Sequence, residues 1–427
     1  MDKEKSSSPT QHDDNQNDST SHISLLDLPI EILLHICSFL DASTLVHGLG
    51  LVCKHFHQIL LDDSLWKVRI SQIWPNTGFP VLPPASCICL PAEDDELFWK
   101  LSCVAIERQT LLWRNSVERD SMENVFLDNV HYGTIDGVLL MRDGTVCISG
   151  ARDRSLVYWT LPTEENKFVK SMAVELAHEG WIWDLTAIDN TVYSCSWDRT
   201  VKAWELTNTG LTHLTTYEMI VSGALLCVTS CSDLPIFATG SFSKTVLVFD
   251  PRKGYSPIAR YQPHNRAVIR LSMNSDYILS ASEDKSVSIW DQRAGRIMKT
   301  VMISKESFPM SVSMNKGIVY VGDSGAKLHV LNPKKDFELK KCYTTKHEKA
   351  ITGLHVAPGC LITGSLDKTV IIWSPTDPPQ HVETLTSPYG EVPSVNRLYE
   401  RSSRGLGYGW NKNLETEDRY LCFVTAT

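Results

Sequence analysis

One arrangement of four residue types recurs along the last two-thirds of this 427-residue chain. In three places a histidine precedes an aspartate by 20 residues and a tryptophan by 26, and in a fourth place by 22 and 28. A serine or threonine lies four residues before each aspartate. Four copies of a His/Ser/Asp set cannot form one active site, so they indicate a repeated structural unit. The sets are His131/Ser149/Asp153/Trp159, His178/Ser194/Asp198/Trp204, His264/Ser280/Asp284/Trp290 and His347/Thr363/Asp367/Trp373.

The repeat has a regular period. Six similar segments, such as SCSWDRTVKAW and TGSLDKTVIIW, end at residues that lie 45, 45, 41, 41 and 42 positions apart. That length accommodates four short strands, and a D-K/R-S/T turn between alternating residues is typical of a hairpin. Blades arranged around a ring cover each other's faces and leave few exposed edges. The pattern therefore predicts an all-β propeller over residues 123–427.

A histidine, a hydroxyl, an aspartate and an indole N–H at these offsets can form one hydrogen-bonded chain within a blade. The third and fifth segments depart from the pattern, with Ser243, Phe249 and Gly223 in one, and Gly325 and Leu331 in the other. We expect these two blades to keep their strand topology and to lose the internal network. This part of the chain resembles the WD-repeat family, whose blades share the His/Ser/Asp/Trp tetrad.

The number of blades depends on the C-terminal segment. Residues 381–427 span about one period and contain strand-like VNRLY and YLCFVTA, but they lack the repeated turn segment. Six blades are explicit, and we predict a degenerate seventh. Residues 123–128, ENVFLD, are a candidate for the outer strand that closes such a ring.

A second motif occupies residues 23–70. Pro29 suits a first helical turn, Asp41 is placed to cap a second helix, and Val52, Phe56 and Ile59 mark the apolar side of a third. The L-P-x-E-I-L opening, the V-C-K-x-F centre and the D-x-x-L-W close resemble an F-box. The resemblance implies docking onto a Skp-type adaptor that bridges to cullin and RING subunits of a ubiquitin ligase. The implied contact residues are Leu28, Pro29, Ile32, Leu33, Ile36 and Leu40, each of which is alternatively a core residue of the helical unit.

The remaining segments carry weaker patterns. Residues 1–22 are polar and predict a disordered tail, and residues 71–122 predict a Pro-rich loop followed by a helical connector. A net charge of −9 shows no basic surplus for nucleic acid, and no apolar run approaches a membrane span or a signal core. Neither a metal site nor another cofactor is indicated by the cysteine spacing. We expect a cytoplasmic or nuclear protein with reduced thiols.

An F-box followed by WD repeats resembles the F-box/WD-repeat class of substrate receptors, and segments such as HEGWIWDL narrow the resemblance to one member of that class. The resemblance implies a non-catalytic subunit whose propeller captures a protein for ubiquitination. Exposed aromatic and arginine side chains are the usual anchors of recognition. The substrate-binding candidates beside the repeated turns are Arg152, Trp181, Trp197, Phe242 and Glu283, although each could instead pack loops together.

Three alternatives remain. A scaffold propeller outside ubiquitin chemistry would share these motifs. A hydrolase built on one His/Ser/Asp set lacks a G-x-S-x-G context for any copy. A nucleotide site at Gly405, Gly407 and Gly409 lacks the helix and lysine that should follow. The arginines beside the turns come with Glu179 and Glu283, so a phosphate-reading cluster is not predicted.

Overall fold

The computed structural model describes residues 25, 28–73, 98–119, 127, 130–142, 144–162, 168–218, 223–231, 233–315, 318–357, 360–387, 394–400 and 419–424. The chain divides into two compact units between Asp62 and Asp63. The predictions for residues 1–22, the Pro-rich loop and the Gly405–Gly409 run lie outside the described residues.

The first unit is a set of short helices: α1 (Ile30–Ser38), α2 (Ala42–Thr44), a π-helical turn (Leu45–Leu49), α3 (Gly50–Val52) and α4 (Lys54–Ile59). Asp41 caps α2 as the sequence predicts, because its Oδ1 accepts from the Thr44 backbone N–H at 2.7 Å. The chain is extended at Cys53 between α3 and α4. Val52 is therefore exposed, and its predicted place on the apolar stripe with Phe56 is wrong.

The second unit begins with two helices, α5 (Asp63–Ile73) and α6 (Phe98–Arg119), which pack together. The Arg69 guanidinium hydrogen-bonds both carboxylate oxygens of Glu107, with Nη2 3.1 Å from Oε2. Lys67 Nζ lies 4.9 Å from the centre of the Trp99 ring. Helix α6 also contacts the sixth blade of the propeller, so α5 and α6 belong to the same compact unit as the ring.

Six four-stranded antiparallel sheets form the blades of the propeller. Blade one contains β1 (Ile135–Met141), β2 (Val146–Ala151), β3 (Leu156–Thr160) and β4 (Lys170–Val174); blade two contains β5 (Ile182–Ile188), β6 (Thr191–Ser196), β7 (Thr200–Leu206) and β8 (Leu211–Glu218); blade three contains β9 (Leu225–Ser230), β10 (Phe237–Ser241), β11 (Val246–Phe249) and β12 (Ala259–Tyr261). Blade four contains β13 (Val268–Met273), β14 (Tyr277–Ser282), β15 (Ser286–Asp291) and β16 (Arg296–Met302); blade five contains β17 (Pro309–Asn315), β18 (Ile318–Asp323), β19 (Lys327–Asn332) and β20 (Glu338–Thr344); blade six contains β21 (Ile351–Ala357), β22 (Cys360–Ser365), β23 (Thr369–Ser374) and β24 (Gln380–Thr386). Single 3₁₀ turns lie at Pro251–Lys253 and Pro333–Lys335.

The ring is closed by a smaller sheet. Strands β25 (Ser394–Glu400) and β26 (Arg419–Val424) pair with each other, and β25 contacts both β21 of blade six and β1 of blade one. The seventh place in the ring therefore holds two described strands rather than four. Most of the proposed closing segment 123–128 lies outside the described residues, although Leu127 packs against the core of blade one.

Hydrophobic cores lie between neighbouring blades. Close approach is possible because small residues occur on the second strands: a Cβ on Gly150 would lie 2.6 Å from Ile182, and one on Gly240 would lie 2.7 Å from Val268. In five of the six blades the hairpin after the second strand contains a basic residue in the left-handed region, with φ of 70–75° at Arg154, Arg199, Lys244, Lys285 and Lys368; in blade five Ala326 takes this place with φ of 60°. The repeated D-K/R-S/T pattern thus encodes the turn that connects the two central strands of a blade.

Candidate partner-binding surfaces

Blade two shows how the repeated residues are used. His178 Nδ1 lies 2.9 Å from Asp198 Oδ2, and its Nε2 lies 2.7 Å from Ser194 Oγ. Trp204 Nε1 donates to the same Ser194 oxygen at 2.9 Å. Thr200 completes the network, with Oγ1 2.7 Å from Asp198 Oδ1. This hydroxyl is an addition to the predicted network, and it is the S/T of the D-K/R-S/T pattern.

Blades one and six contain the same hydrogen-bonded tetrad. In blade one the His131–Asp153, His131–Ser149 and Trp159–Ser149 distances are 2.9, 2.8 and 2.8 Å. In blade six the His347–Asp367, His347–Thr363 and Trp373–Thr363 distances are 3.1, 2.7 and 2.8 Å.

Blade four departs from this geometry at its tryptophan. His264 lies 3.1 Å from Asp284 and 2.8 Å from Ser280, but no hydrogen bond joins Trp290 to Ser280 among the described residues. Trp290 instead stacks on Tyr261, with 3.9 Å between ring centroids and 11° between planes. The expected indole-to-hydroxyl bond is therefore wrong for this blade, where the Trp290 ring stacks instead on a tyrosine of β12, the outermost strand of blade three.

The difference between Trp204 and Trp290 gives a testable contrast. Phenylalanine removes the same indole N–H at both positions, but only Trp204 donates it to a buried hydroxyl. We expect Trp204→Phe to lower the free energy of unfolding by about 1 kcal/mol more than Trp290→Phe. Chemical denaturation of the two variants measures this difference, and equal losses would contradict it.

The protonation states of the histidine and the aspartate determine which atoms donate and which accept in the tetrad. Burial lowers the pKa of His178, and the hydrogen bond that it donates to Asp198, with the negative charge of that carboxylate, only partly offsets the effect. Burial alone would raise the pKa of Asp198, but hydrogen bonds from His178 and Thr200 outweigh it and lower the pKa well below its usual value. A neutral imidazole can then donate from Nδ1 to Asp198 and accept at Nε2 from Ser194, while Ser194 accepts from Trp204. The serine is buried and fully engaged, so this set is structural and leaves no exposed nucleophile.

The two irregular blades differ from each other. In blade three, Thr239 Oγ1 donates to the Cys227 carbonyl oxygen at 2.9 Å, and Phe249 stacks on Phe237, so the tetrad network is absent among the described residues. In blade five a different network replaces it. His329 Nε2 lies 2.8 Å from Asp323 Oδ2, and this same oxygen accepts from Ser307 Oγ.

The expectation that blade five has no internal network is therefore wrong. Its aspartate lies at the end of β18 rather than in the following turn, and its histidine lies on β19. The Asp323 carboxylate also accepts the backbone N–H groups of Gly325 and Lys327, at 2.9 and 2.7 Å. One buried carboxylate thus organises the hairpin that an aspartate in the turn organises in blades one, two, four and six.

The turns between second and third strands and the segments that enter the first strands lie at one end of the blades, which we call the turn face. Trp181 and Trp197 are exposed here on blade two, with ring centroids 5.5 Å apart. Trp183, which the sequence analysis did not select, lies 6.3 Å from Trp181 and 6.0 Å from Trp197. Arg152 of blade one places its guanidinium 5.4 Å from the Trp181 ring and 4.9 Å from the Trp183 ring. We call these four residues the tryptophan cluster.

Two predicted members lie apart from this cluster. Phe242 is 56% exposed on blade three but makes no ring contact with the tryptophans among the described residues. Glu283 is half-buried, and its backbone N–H donates to the Ala267 carbonyl oxygen at 3.2 Å. We expected the aromatic candidates Trp181, Trp197 and Phe242 to form one cluster on adjacent blades, and this is wrong for Phe242: the third ring of the cluster is Trp183. The signal for Trp183 was its position two residues after Trp181, on the same side of an extended segment.

A largely buried ion pair connects the first strands of blades two and four. Arg270 Nη1 lies 3.1 Å from Asp184 Oδ2, and the backbone N–H of Val228 in blade three donates to the same carboxylate oxygen at 3.2 Å. Burial raises the pKa of Asp184, although the neighbouring guanidinium opposes this shift. The pair therefore joins three blades, and the sequence analysis did not predict it.

The helices of the first unit present apolar side chains to solvent. Ile32 and Ile36 are exposed, Pro29 is exposed at the N-cap of α1, and Leu28 and Leu40 are half-buried. Leu33 is only 2% exposed. Its assignment as a contact residue is therefore corrected to a core residue. Ile30 and Phe39 are exposed on the same helix and its C-cap, and the sequence analysis did not name them.

Comparisons with known families agree with this architecture. A model described as F-box-like matches residues 25–70, and one described as WD domain, G-beta repeat matches residues 169–205, 255–291 and 340–374. The chain belongs to the F-box/WD-repeat proteins. It is 33% identical over 373 residues to F-box/WD repeat-containing protein 9 of Homo sapiens, covering 86% of this chain and 77% of the relative. This is the member that the narrower resemblance indicated.

Other matches support the same family and fold. F-box/WD repeat-containing protein mec-15 of Caenorhabditis elegans is 29% identical over 324 residues, which cover 72% of this chain and 75% of that protein. The crystal structure of the WD40 beta propeller domain of Doa1 superposes with a TM-score of 0.54 at 19% identity, covering 63% of this chain and 88% of that one. The Doa1 match supports the propeller fold alone.

Within the described segments, no helix has the length and apolar content needed to cross a membrane, and no cluster of three or more ligating side chains could hold a metal ion.

Proposed function

We propose that this protein is the substrate-recognition subunit of an SCF-type ubiquitin ligase. The observation that carries the proposal is the presence, in one F-box/WD-repeat chain, of a small helical unit with exposed apolar side chains and a propeller with an exposed aromatic cluster. About 40 residues of short helix form a poor independent core, and exposed apolar side chains at this density favour a partner surface. The partner in this proposal is a Skp-type adaptor, joined through it to cullin and RING subunits.

On this proposal the chain contributes no catalytic group. The F-box attaches it to the ligase, and the turn face of the propeller holds a protein whose lysines then lie near the ubiquitin-charged enzyme. The rate increase comes from proximity, since binding converts an encounter between two molecules into a reaction within one complex. Such a complex would work in the cytoplasm or nucleus.

Co-purification with a Skp-type adaptor tests the proposal. We expect the full chain to bind the adaptor, and the combined Leu28→Ala/Pro29→Ala change or the Ile32→Glu change to weaken binding on the order of tenfold or more. Ile32 is exposed on α1, so a charge there would be desolvated in an apolar interface without unfolding the helices. Affinity is measured by titration of purified adaptor.

The matched control is Met302→Glu, which places the same charge on an exposed apolar position of blade four. It should leave adaptor affinity unchanged. Failure of the unaltered chain to bind, or binding that survives both F-box changes, would reject the receptor function and favour a scaffold propeller outside ubiquitin chemistry.

A further inference from the structure

The tryptophan cluster has the exposed area and the free groups of a peptide-binding site. Trp181 and Trp197 are 43% and 47% exposed, although large aromatic side chains are usually covered in a folded protein. Their planes are inclined by 56° and their centroids lie 5.5 Å apart, so the two rings contact each other and form one continuous aromatic surface. Trp183 lies against both rings and supports them from the half-buried side.

The charge at the cluster is already balanced. Arg152 donates from Nε and Nη2 to the two carboxylate oxygens of Asp136, at 2.8 and 3.1 Å, and the Asp136 side chain is buried. Because this bidentate pair neutralises the guanidinium, a phosphate would find little uncompensated positive charge. A cationic ligand is equally disfavoured, because the Arg152 guanidinium already occupies the ring faces of Trp181 and Trp183 that would attract it.

The polar groups of the tryptophan cluster that lack a hydrogen-bond partner among the described residues are all donors. Nη1 of Arg152 and the indole N–H groups of Trp181 and Trp197 have no acceptor among the described residues, and these three side chains are partly exposed. The Trp183 indole nitrogen is buried and also has no partner in the described part of the chain. An unmet donor that becomes buried under a ligand costs free energy, so a ligand that covers this site must bring acceptors.

We propose that the tryptophan cluster binds an uncharged peptide segment of a partner protein, in which a proline or aromatic ring stacks on the exposed surface that Trp181 and Trp197 form together. Backbone carbonyl oxygens flanking that ring accept hydrogen bonds from the indole N–H groups and from Arg152 Nη1. Proline-rich segments bind aromatic grooves in this way, since their extended backbone leaves its carbonyl groups free. This inference rests on the proposed receptor function and assigns the chemical class of the segment that the receptor reads, without phosphorylation.

The test uses the full chain and short fluorescein-labelled peptides on a Gly/Ser background. Matched peptides carry at one central position a Pro-Pro pair, a phenylalanine, a phosphoserine or a trimethyllysine. We expect fluorescence polarisation to show binding of the Pro-Pro or phenylalanine peptide in preference to both charged peptides. Trp181→Ala and Trp197→Ala should each weaken that binding on the order of tenfold, and Trp181→Phe, which keeps a ring but loses the indole donor, should weaken it by a smaller factor.

Two controls make the result specific. Phe168→Ala removes an aromatic side chain that is 75% exposed outside the cluster, and it should leave peptide affinity unchanged. The Trp181 and Trp197 variants should still melt cooperatively, with a melting temperature only slightly below that of the unaltered chain. Preference for the phosphoserine or trimethyllysine peptide, absence of binding to all four peptides, or affinity that survives loss of either tryptophan would overturn the inference. Adaptor titration is independent of this site, so failure of the receptor function would be seen separately.

Discussion

Replacing Arg270 by methionine is expected to lower the free energy of unfolding by about 3 kcal/mol, the lower end of the range for breaking a buried ion pair. Methionine preserves much of the apolar stem but leaves the Asp184 carboxylate without its cation. Both side chains are largely buried, at 21% and 18% exposed, and the remaining contact with water places the effect at the lower end. Chemical denaturation of the full chain measures the loss.

Two further variants separate the ion pair from a general effect of losing arginine. Arg266→Met alters an exposed arginine four residues earlier and should change stability by less than about 0.5 kcal/mol. The double change Arg270→Met/Asp184→Leu removes both charges and should recover a large part of the loss, because no unpaired buried charge remains. A double variant no more stable than Arg270→Met alone would contradict this account.

The sequence predicts what lies within one blade better than what lies between blades. The His178, Ser194, Asp198 and Trp204 network was predictable because all four groups belong to one repeat and have matching donors and acceptors. The Asp184–Arg270 pair joins residues that are 86 positions apart in two different repeats. Its formation depends on the curvature of the ring, which the spacing of one repeat does not contain.

The blade-five network was missed for a related reason. The search pattern required an aspartate in the turn after the second strand, where Gly325 stands in place of a polar residue of the other repeats. Asp323 supplies an equivalent carboxylate from the strand itself, and His329 approaches it from the next strand. Blade five thus also has a buried carboxylate that accepts the N–H groups of the turn, but this carboxylate comes from a different position in the repeat.

The helical unit shows the limit of periodicity. Leu33 and Ile32 both fit an apolar helix, but the first is buried and the second is exposed. A three- and four-residue spacing predicts that apolar side chains share one side of a helix. It does not distinguish positions buried within the protein from positions that a partner would cover. The burial of each position depends on the contacts of α1 with the other short helices.

Replacing His178 by alanine should destabilise the propeller by about 2–4 kcal/mol, whereas Trp197→Ala should cost about 1 kcal/mol or less. The histidine is buried, and its loss removes one hydrogen-bond partner from each of Asp198 and Ser194 inside a buried network. The Trp197 side chain is half exposed, and in the described part of the chain its contacts with other side chains are the ring contacts to Trp181 and Trp183. Thermal or chemical unfolding distinguishes the two variants, and a Trp197 variant that unfolds as readily as the His178 variant would remove the distinction between blade chemistry and binding surface.

Acid denaturation provides a second measure of the same distinction. Burial lowers the pKa of His178 below its ordinary value of 6.5, so the unfolded imidazole binds a proton at a pH where the folded one does not. Stability is therefore fully present above about pH 6.5 and is lost as the pH falls through the interval between the two pKa values. His178→Ala should make this dependence shallower by up to about 1.4 kcal/mol per pH unit, and Trp197→Ala should leave it unchanged. An unchanged slope in the His178 variant would mean that this imidazole is not held neutral in the blade.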